Sequence, residues 1–217
     1  MLDTLLASKS RYKKTVKTDV TFKEALKDYK NKNYRVAMQK FKIATLDNPE
    51  SYCYTAQIYL NGEDAQTDYQ AAKEYFQKAI DRGSSLALNA LGSMYYIGQG
   101  VPKDLVQARE YYQKASNGGY AEASTNLGVL YENGQGAPKD YTKALAYYQK
   151  AANEGDITKA VQYFKKAADI GLVEAYKNLG MMHCHGQGVV KDLKKAIEYM
   201  QKACDMGDEE ACTVLSN

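Results

Sequence analysis

A short glycine frame closed by an aspartate recurs along this chain, and its spacing constrains the fold more than any other feature. It reads GEDAQTD from Gly62, GQGVPKD from Gly98, GQGAPKD from Gly134 and GQGVVKD from Gly186. Gly62, Gly98 and Gly134 stand 36 residues apart. A period of about 20–50 residues marks a repeat array, in which each unit covers its apolar face with the next. An array shares one continuous core, so 217 residues need not divide into separate globular domains. Such a chain is built to bind, and nothing in its sequence names the partner.

Each repeat reads as two helices joined by the glycine loop. Before the loop the pattern is AxxxLGxxY: Ala87, Leu91, Gly92, Tyr95, then Ala123, Leu127, Gly128, Tyr131. In the last unit Ala175, Leu179 and Gly180 are followed by His183 in the tyrosine position. This spacing puts the side chains on one helical face. A glycine inside a helix costs about 1 kcal/mol relative to alanine, so Gly92, Gly128 and Gly180 are expected where another helix crosses closely. After the loop the pattern is DxxxAxxYYxKA, as in Asp104, Ala108, Tyr111, Tyr112, Lys114, Ala115 and in Asp140, Ala144, Tyr147, Tyr148, Lys150, Ala151. The aspartate sits where an N-cap accepts from an orphan amide. Gly83, Gly119, Gly155, Gly171 and Gly207 stand where a left-handed residue ends the second helix. The 20 tyrosines, with no tryptophan, are read as repeat packing residues and not as a cofactor box.

The combined pattern AxxxLGxxYxxGxGVPKDxxKAxxYYxKAA closely resembles the Sel-one-like repeat family, a relative of the tetratricopeptide repeats. The match covers about residues 50–217. The resemblance implies an all-α fold, a right-handed superhelical α/α solenoid of antiparallel helix pairs. Residues 21–49 look more like a tetratricopeptide helix pair: Ala25, Tyr29, Asn33, Tyr34, Ala37, Phe41, Ala44 and Pro49 fall at that spacing without a glycine loop. Residues 1–20 have no repeat pattern and are read as an N-terminal tail or short capping helix.

The array has one irregularity, near residues 155–157. Gly134 and Gly186 are 52 residues apart, so two repeats together are about 20 residues short. DITKAVQYFKKAADIG from Asp156 matches DYTKALAYYQKAANEG from Asp140 at an offset of 16. Two second-type helices therefore follow one another. Either about 20 residues are missing from the sequence as given, or the deletion is real. In the second case the Asp156 helix fills a first-helix position and kinks the superhelix.

Composition excludes several functions. A net charge of +3 is too small to argue for nucleic acid or an anionic membrane. The basic run Lys9–Lys17 reads as a solvated tail. No apolar stretch reaches the roughly 20 residues needed to cross a bilayer, and the N-terminus shows no signal-peptide pattern. The sequence has no KTG, HExxH, GxSxG or GxxxxGK[ST] motif, and its single SxxK, Ser10 to Lys13, lacks the accompanying KTG. The GQG loops lead into a capping aspartate that would repel phosphate. No enzyme activity, cofactor or metal is expected. His183, Cys184 and His185 are consecutive, so their side chains diverge by about 100° on a helix and cannot converge on one ion. Cys204 and Cys212 are similar in spacing to the disulfide of the secreted, cysteine-rich branch of the family. That likeness implies a bridge, and with it a periplasmic or secreted location; free thiols would go with the cytoplasm. Cys53 is one position off the register of Cys212 and completes no second bridge.

Helical phase suggests a binding surface. With the first helix's alanine at 0°, the opposite sector at roughly 180–240° holds Asn89, Ser93 and Tyr96. Its counterparts are Cys53, Gln57, Leu60; Thr125, Val129, Glu132; and Lys177, Met181, Cys184. First helices line the concave face in related arrays. Leu60, Tyr96, Val129 and Met181 would then be apolar groups exposed on a groove floor, with Asn126 and Asn178 beside them to bond an extended peptide backbone. Packing against neighbouring repeats is the alternative reading of this stripe. The family resemblance implies a non-enzymatic, monomeric adaptor that holds a protein or peptide in the groove. Two other readings are a cell-wall-associated binder of penicillin or a muropeptide with weak β-lactamase-like activity, and a self-assembling structural module. The polar terminal helix, Asp208 to Asn217, reads as a cap against open-ended stacking.

Overall fold

A computed structural model describes residues 21–44, 48–63 and 66–216. The expectations for the N-terminal tail and for Lys9–Lys17 lie outside these residues. The fold is all-α and of the helix-pair solenoid class. Its helices are α1 (residues 21–30), α2 (Tyr34–Ala44), α3 (Pro49–Asn61), α4 (Tyr69–Ile80), α5 (Ser85–Ile97), α6 (Leu105–Asn117), α7 (Ala121–Asn133), α8 (Tyr141–Asn153), α9 (Ile157–Asp169), α10 (Val173–His185), α11 (Leu193–Asp205) and α12 (Glu209–Ser216). The chain divides into two compact units, with the boundary between Ala115 and Ser116.

The glycine frame works as a closed turn. Gly98 follows α5 in the left-handed region (φ 84°), and its N–H returns to Met94 O at 2.8 Å. The aspartate at the far end of the frame then binds backwards and forwards. Its N–H donates to the carbonyl of the aromatic residue in the last turn of the first helix: Asp68 to Tyr59, Asp104 to Tyr95, Asp140 to Tyr131 and Asp192 to His183, at 2.9–3.0 Å. Its carboxylate accepts from the first turn of the second helix, as from Ala71 N, Gln107 N, Lys143 N and Lys195 N at 2.9–3.0 Å. Each such cap is worth about 1 kcal/mol. One residue thus fixes both the length of the loop and the start of the next helix.

Two contacts recur across each helix pair. The first-helix aromatic stacks on the second-helix tyrosine 16 residues later: Tyr59–Tyr75, Tyr95–Tyr111 and Tyr131–Tyr147, all with centroids 5.5 Å apart. His183 takes the same place on Tyr199 at 5.6 Å and 17°, so it replaces the stacking tyrosine. The first-helix glycine lies under the next aromatic. A Cβ on Gly92 would fall 2.6 Å from Tyr112, and on Gly128 2.8 Å from Tyr148. At Gly180 the covering group is Met200. These glycines hold the crossing points expected of them, and alanine there would meet a ring already in place.

Ahead of α3, an aromatic cluster closes the first unit. Phe41 stacks on Tyr54 (5.2 Å, 9°), and Tyr29 meets Tyr34 and Tyr54 edge-on at 5.4 and 5.3 Å. Burial, with Glu63 beside it, pushes the Tyr29 phenol up to about 12.

The irregular junction is built around α9. Asp156 N–H donates to Ala151 O at 2.9 Å, across Gly155 at positive φ. Toward the preceding repeat, α9 acts as a first helix. Thr125 Oγ1 donates to Asp156 Oδ2 at 2.7 Å, just as Cys53 Sγ meets Ser84 Oγ at 3.2 Å in the regular part, both pairs 31 residues apart. Lys166 approaches Glu132 at the other end, so α7 and α9 lie parallel. Toward the following repeat, α9 acts as a second helix. The loop glycine Gly188 sits on Ile157 and Val161, as Gly100 sits on Tyr69 at the start of α4. Its sequence suits both tasks, because it buries Ala160, Val161, Tyr163, Phe164, Ala167 and Ala168. Tyr163 stacks on Tyr148 with centroids 4.1 Å apart.

Candidate interaction cleft

Because α9 alone separates α8 from α10, the last turn of α8 comes to face α10. Two contiguous concavities of about 360 and 420 Å³ lie there. Gln149, Asn153, Asn178, Met181 and Gln187 line both. Ile157 and Gly155 border one end, and α12 closes the other with Glu210, Ala211 and Val214. Met181 is 41% exposed. Gln149 and Asn153 are paired through their amides at 3.1 Å. The amides of Asn178 and Gln187 make no hydrogen bond among the described residues. The His185 ring is held by Met181 O at 2.9 Å. The lining that the two concavities share is therefore uncharged carboxamide around a methionine, with the Lys177–Glu210 pair at one end.

Lys177 anchors the far wall. Its ammonium lies 2.8 Å from Glu210 Oε2 and 3.2 Å from Asp208 Oδ2. The bond to Glu210, with Asp208 adding to it, holds the lysine above its usual pKa. Asp208 is held below the usual carboxylate range, first by the N–H of Ala211 and then by Lys177. A disulfide joins Cys204 in the last turn of α11 to Cys212 in α12, with Cα atoms 4.8 Å apart. Cys53 and Cys184 are free thiols. Burial pushes the Cys53 thiol up to about 11, which keeps it protonated and inert.

Of the nine groove residues expected from helical phase, the structure brings together Lys177, Asn178 and Met181. The others are placed differently. Asn89 is 5% exposed, and its counterparts Cys53 and Thr125 are fully buried. At Cys53, Thr125 and Lys177 this position forms a seam with the start of the next first-type helix: Cys53–Ser84, Thr125–Asp156 and Lys177–Asp208 all span 31 residues. The phase estimate took it for open floor because it did not count the parallel helix lying alongside. Leu60 and Val129 are half-buried against their own cores. The Ser93 hydroxyl bonds Asn89 O and the Tyr112 hydroxyl. Tyr96 is half-buried, with the Lys103 ammonium 5.8 Å from its ring. Asn126 is half-buried and bonded. Gln149, Asn153 and Gln187 escaped the sequence reading, since they come from a second helix and a loop. Their one signal was the offset of 16 between the Asp140 and Asp156 segments.

Among the described residues no cluster of three or more His, Cys, Asp or Glu could hold a metal ion, and no helix is long and apolar enough to cross a membrane. The Sel1 repeat model matches residues 49–84, 85–120, 121–156, 154–172 and 173–208. The chain belongs to the Sel1 repeat family. The 154–172 match spans only α9 and its turns. No curated protein matches the chain. A Sel1 repeat protein from Oxalobacter formigenes is 27% identical with a TM-score of 0.57, over 90% of this chain and 86% of that one. A Sel1 repeat protein from Klebsiella pneumoniae shares the fold at 20% identity and a TM-score of 0.51, over 92% and 91%. So does an immunity protein from Pseudomonas aeruginosa, at 21% and 0.50, over 89% and 66%. Sel1 repeats generally serve as protein-interaction scaffolds and are generally not enzymes.

Proposed function

We propose that this Sel1 protein is a non-enzymatic adaptor that holds a polypeptide segment in the cleft between α8 and α10. Residues 50–217 form its array, and residues 21–49 form a tetratricopeptide-like leading pair. The observation that carries the reading is the lining. Carboxamides match the alternating N–H and C=O groups of an extended main chain, and Asn178 and Gln187 have both kinds of group unspent. Met181 offers an adaptable apolar contact beside them. The lining lacks an exposed cluster of one charge, which suits main-chain recognition better than an anionic or cationic ligand. The regular seam residues do the stacking, and the half-repeat makes the recess.

The test is a capture comparison between the wild-type chain, Asn178→Ala, Met181→Asp and the control Lys165→Glu on the exposed face of α9. A discrete protein retained by wild type and control and lost by both cleft variants is the expected result. A partner that binds all four alike overturns the cleft.

A further inference from the structure

In two helix pairs the second-helix tyrosine crosses the first-helix glycine and ends on a residue just beyond it. Tyr112 lies over Gly92, and its hydroxyl is 3.1 Å from the Oγ of Ser93, one residue on. Tyr148 lies over Gly128, and its hydroxyl donates at 3.1 Å to Glu132, four residues on. These contacts define three positions that meet at a crossing. Two stand one and four places after the glycine, three residues apart and so neighbours on the helix surface. The third is the side chain that covers the glycine from the second helix, 20 residues after it.

In the α10–α11 pair the same three positions are Met181, Cys184 and Met200, and all three carry sulfur. Met200 takes the tyrosine's place over Gly180. A Cβ there would fall 2.9 Å from its Cγ and 3.1 Å from its Cε, so the Sδ that joins those atoms lies on the surface of α10. Met181, Cys184 and Met200 line one cavity with Gly180, and every other side chain around it is apolar. Cys184 is a free thiol. His183 and His185 flank it and take no part: one ring stacks on Tyr199 and the other is held at Met181 O. The sulfurs can be reached, since Met181 is 41% exposed and Cys184 half-buried. Val129 and Glu132 hold the same two positions in α7 and are also half-buried, with α9 following them. Access therefore belongs to the crossing itself.

We infer that Met181, Cys184 and Met200 form a three-coordinate site for a soft monovalent cation of the copper(I) class. Two thioethers and a thiolate are the ligands that select such an ion. A hard divalent cation needs oxygen ligands, and no side chain around the cavity offers one. Binding forms a metal–sulfur bond at Cys184 and releases the thiol proton to solvent. The thiolate and the cation then cancel in charge, which suits apolar surroundings. Met181 also borders the cleft between α8 and α10, but this site does not rest on the peptide reading.

The probe is silver(I), an ion of the same class that undergoes no redox change. It is titrated as the nitrate, without chloride, into the disulfide-intact full chain labelled at its methionine methyls and followed by NMR. Saturable shifts are expected at Met181 and Met200, with none at Met206, which is 46% exposed and serves as the control thioether. Cys184→Ser should weaken binding at least about tenfold. So should Met181→Leu, at an exposed position, and Met200→Leu, which nearly conserves volume and keeps the fold. Silver held at Cys184 with both methionine methyls unmoved would reduce the site to a lone thiol and overturn the proposal. Affinity indifferent to Met181→Leu and Met200→Leu, or equal shifts at Met206, would do the same. So would displacement of the silver by an equal concentration of zinc(II), which gains nothing from thioethers.

Discussion

α4 and α9 begin from nearly the same sequence pattern and end in different employment. α4 serves one repeat. Its aspartate, Asp68, caps its own first turn, and it buries Ala72, Phe76 and Ala79 along a single stripe. α9 serves two. Its aspartate makes no capping bond and accepts from Thr125 of α7 instead. Its buried set doubles by adding Val161, Tyr163 and Ala168 to the shared stripe. A second helix thus becomes a two-sided spacer by spending its cap on a neighbour and widening its apolar face. The consequence is local: with α9 alone between them, the last turn of α8 faces α10 across the recess.

The largest expected effect tests that two-sidedness. Phe164 and Phe76 are equivalent and fully buried, so either change to alanine should cost about 3–5 kcal/mol. The pattern of loss should differ. Hydrogen exchange in Phe164→Ala should rise in both α8 and α10, because the residue belongs to a core that includes both. In Phe76→Ala it should rise in α3 to α5. Retained protection of α10 in Phe164→Ala would mean that α9 supports only its N-terminal neighbour.

Reducing the Cys204–Cys212 bridge comes next. Closing a loop of eight residues contributes about 2–3 kcal/mol on the chain-entropy model. Almost all of the loss should fall on α12, which buries only Ala211. Exchange measured with and without a dithiol reductant should show α12 released and α8 to α11 unchanged. Spread into α10 would show that α12 braces the cleft as well as bordering it.

A smaller effect compares the seams. Thr125→Val removes a hydrogen bond to a carboxylate and should cost about 1.5 kcal/mol. The thiol–hydroxyl contact of Cys53 with Ser84 is a weak one, so Cys53→Ala should lose mainly packing. Denaturation midpoints of the two variants rank the seams, and a Thr125→Val cost below that of Cys53→Ala would show that the bond is not what seats α9.

Much of this organisation was legible in the sequence, and the rest was not for a definable reason. The capping aspartates, the crossing glycines and the His183 substitution are all settled inside one helix pair, where residues 20 or fewer positions apart decide the outcome. The seam is settled between pairs, at a separation of 31. Helical phase taken alone cannot say which sector a parallel neighbour covers, and at Thr125 and Lys177 that neighbour lies over the expected open floor. The cleft lay one step further off. It takes Gln149 from a second helix, Gln187 from a loop and Asn178 from a first helix, and these meet because α9 alone stands between α8 and α10.

The smallest effect concerns the ionic version of the seam, where Lys177 stands in the position of Thr125. Asp208 has a folded-state pKa below its usual 3.8. The stability it confers is complete above that value and is lost as pH falls through the lower folded value. Lys177 is the reverse, with a folded-state pKa above its usual 10.5. Its contribution is complete below that value and is lost as pH rises through the higher one. Docking of α12 should therefore be flat through neutral pH and loosen in acid below about 4. Partly exposed pairs of this kind contribute about 1 kcal/mol or less, so the disulfide masks the change in the oxidised chain. In the reduced chain the Val214 and Leu215 methyl resonances should follow it directly. Lys177→Met should move the acid midpoint toward that of a free aspartate, because the ammonium no longer favours the carboxylate. An unmoved midpoint would mean that the N–H of Ala211 alone holds Asp208, and that the seam at Lys177 is a cap with a lysine nearby.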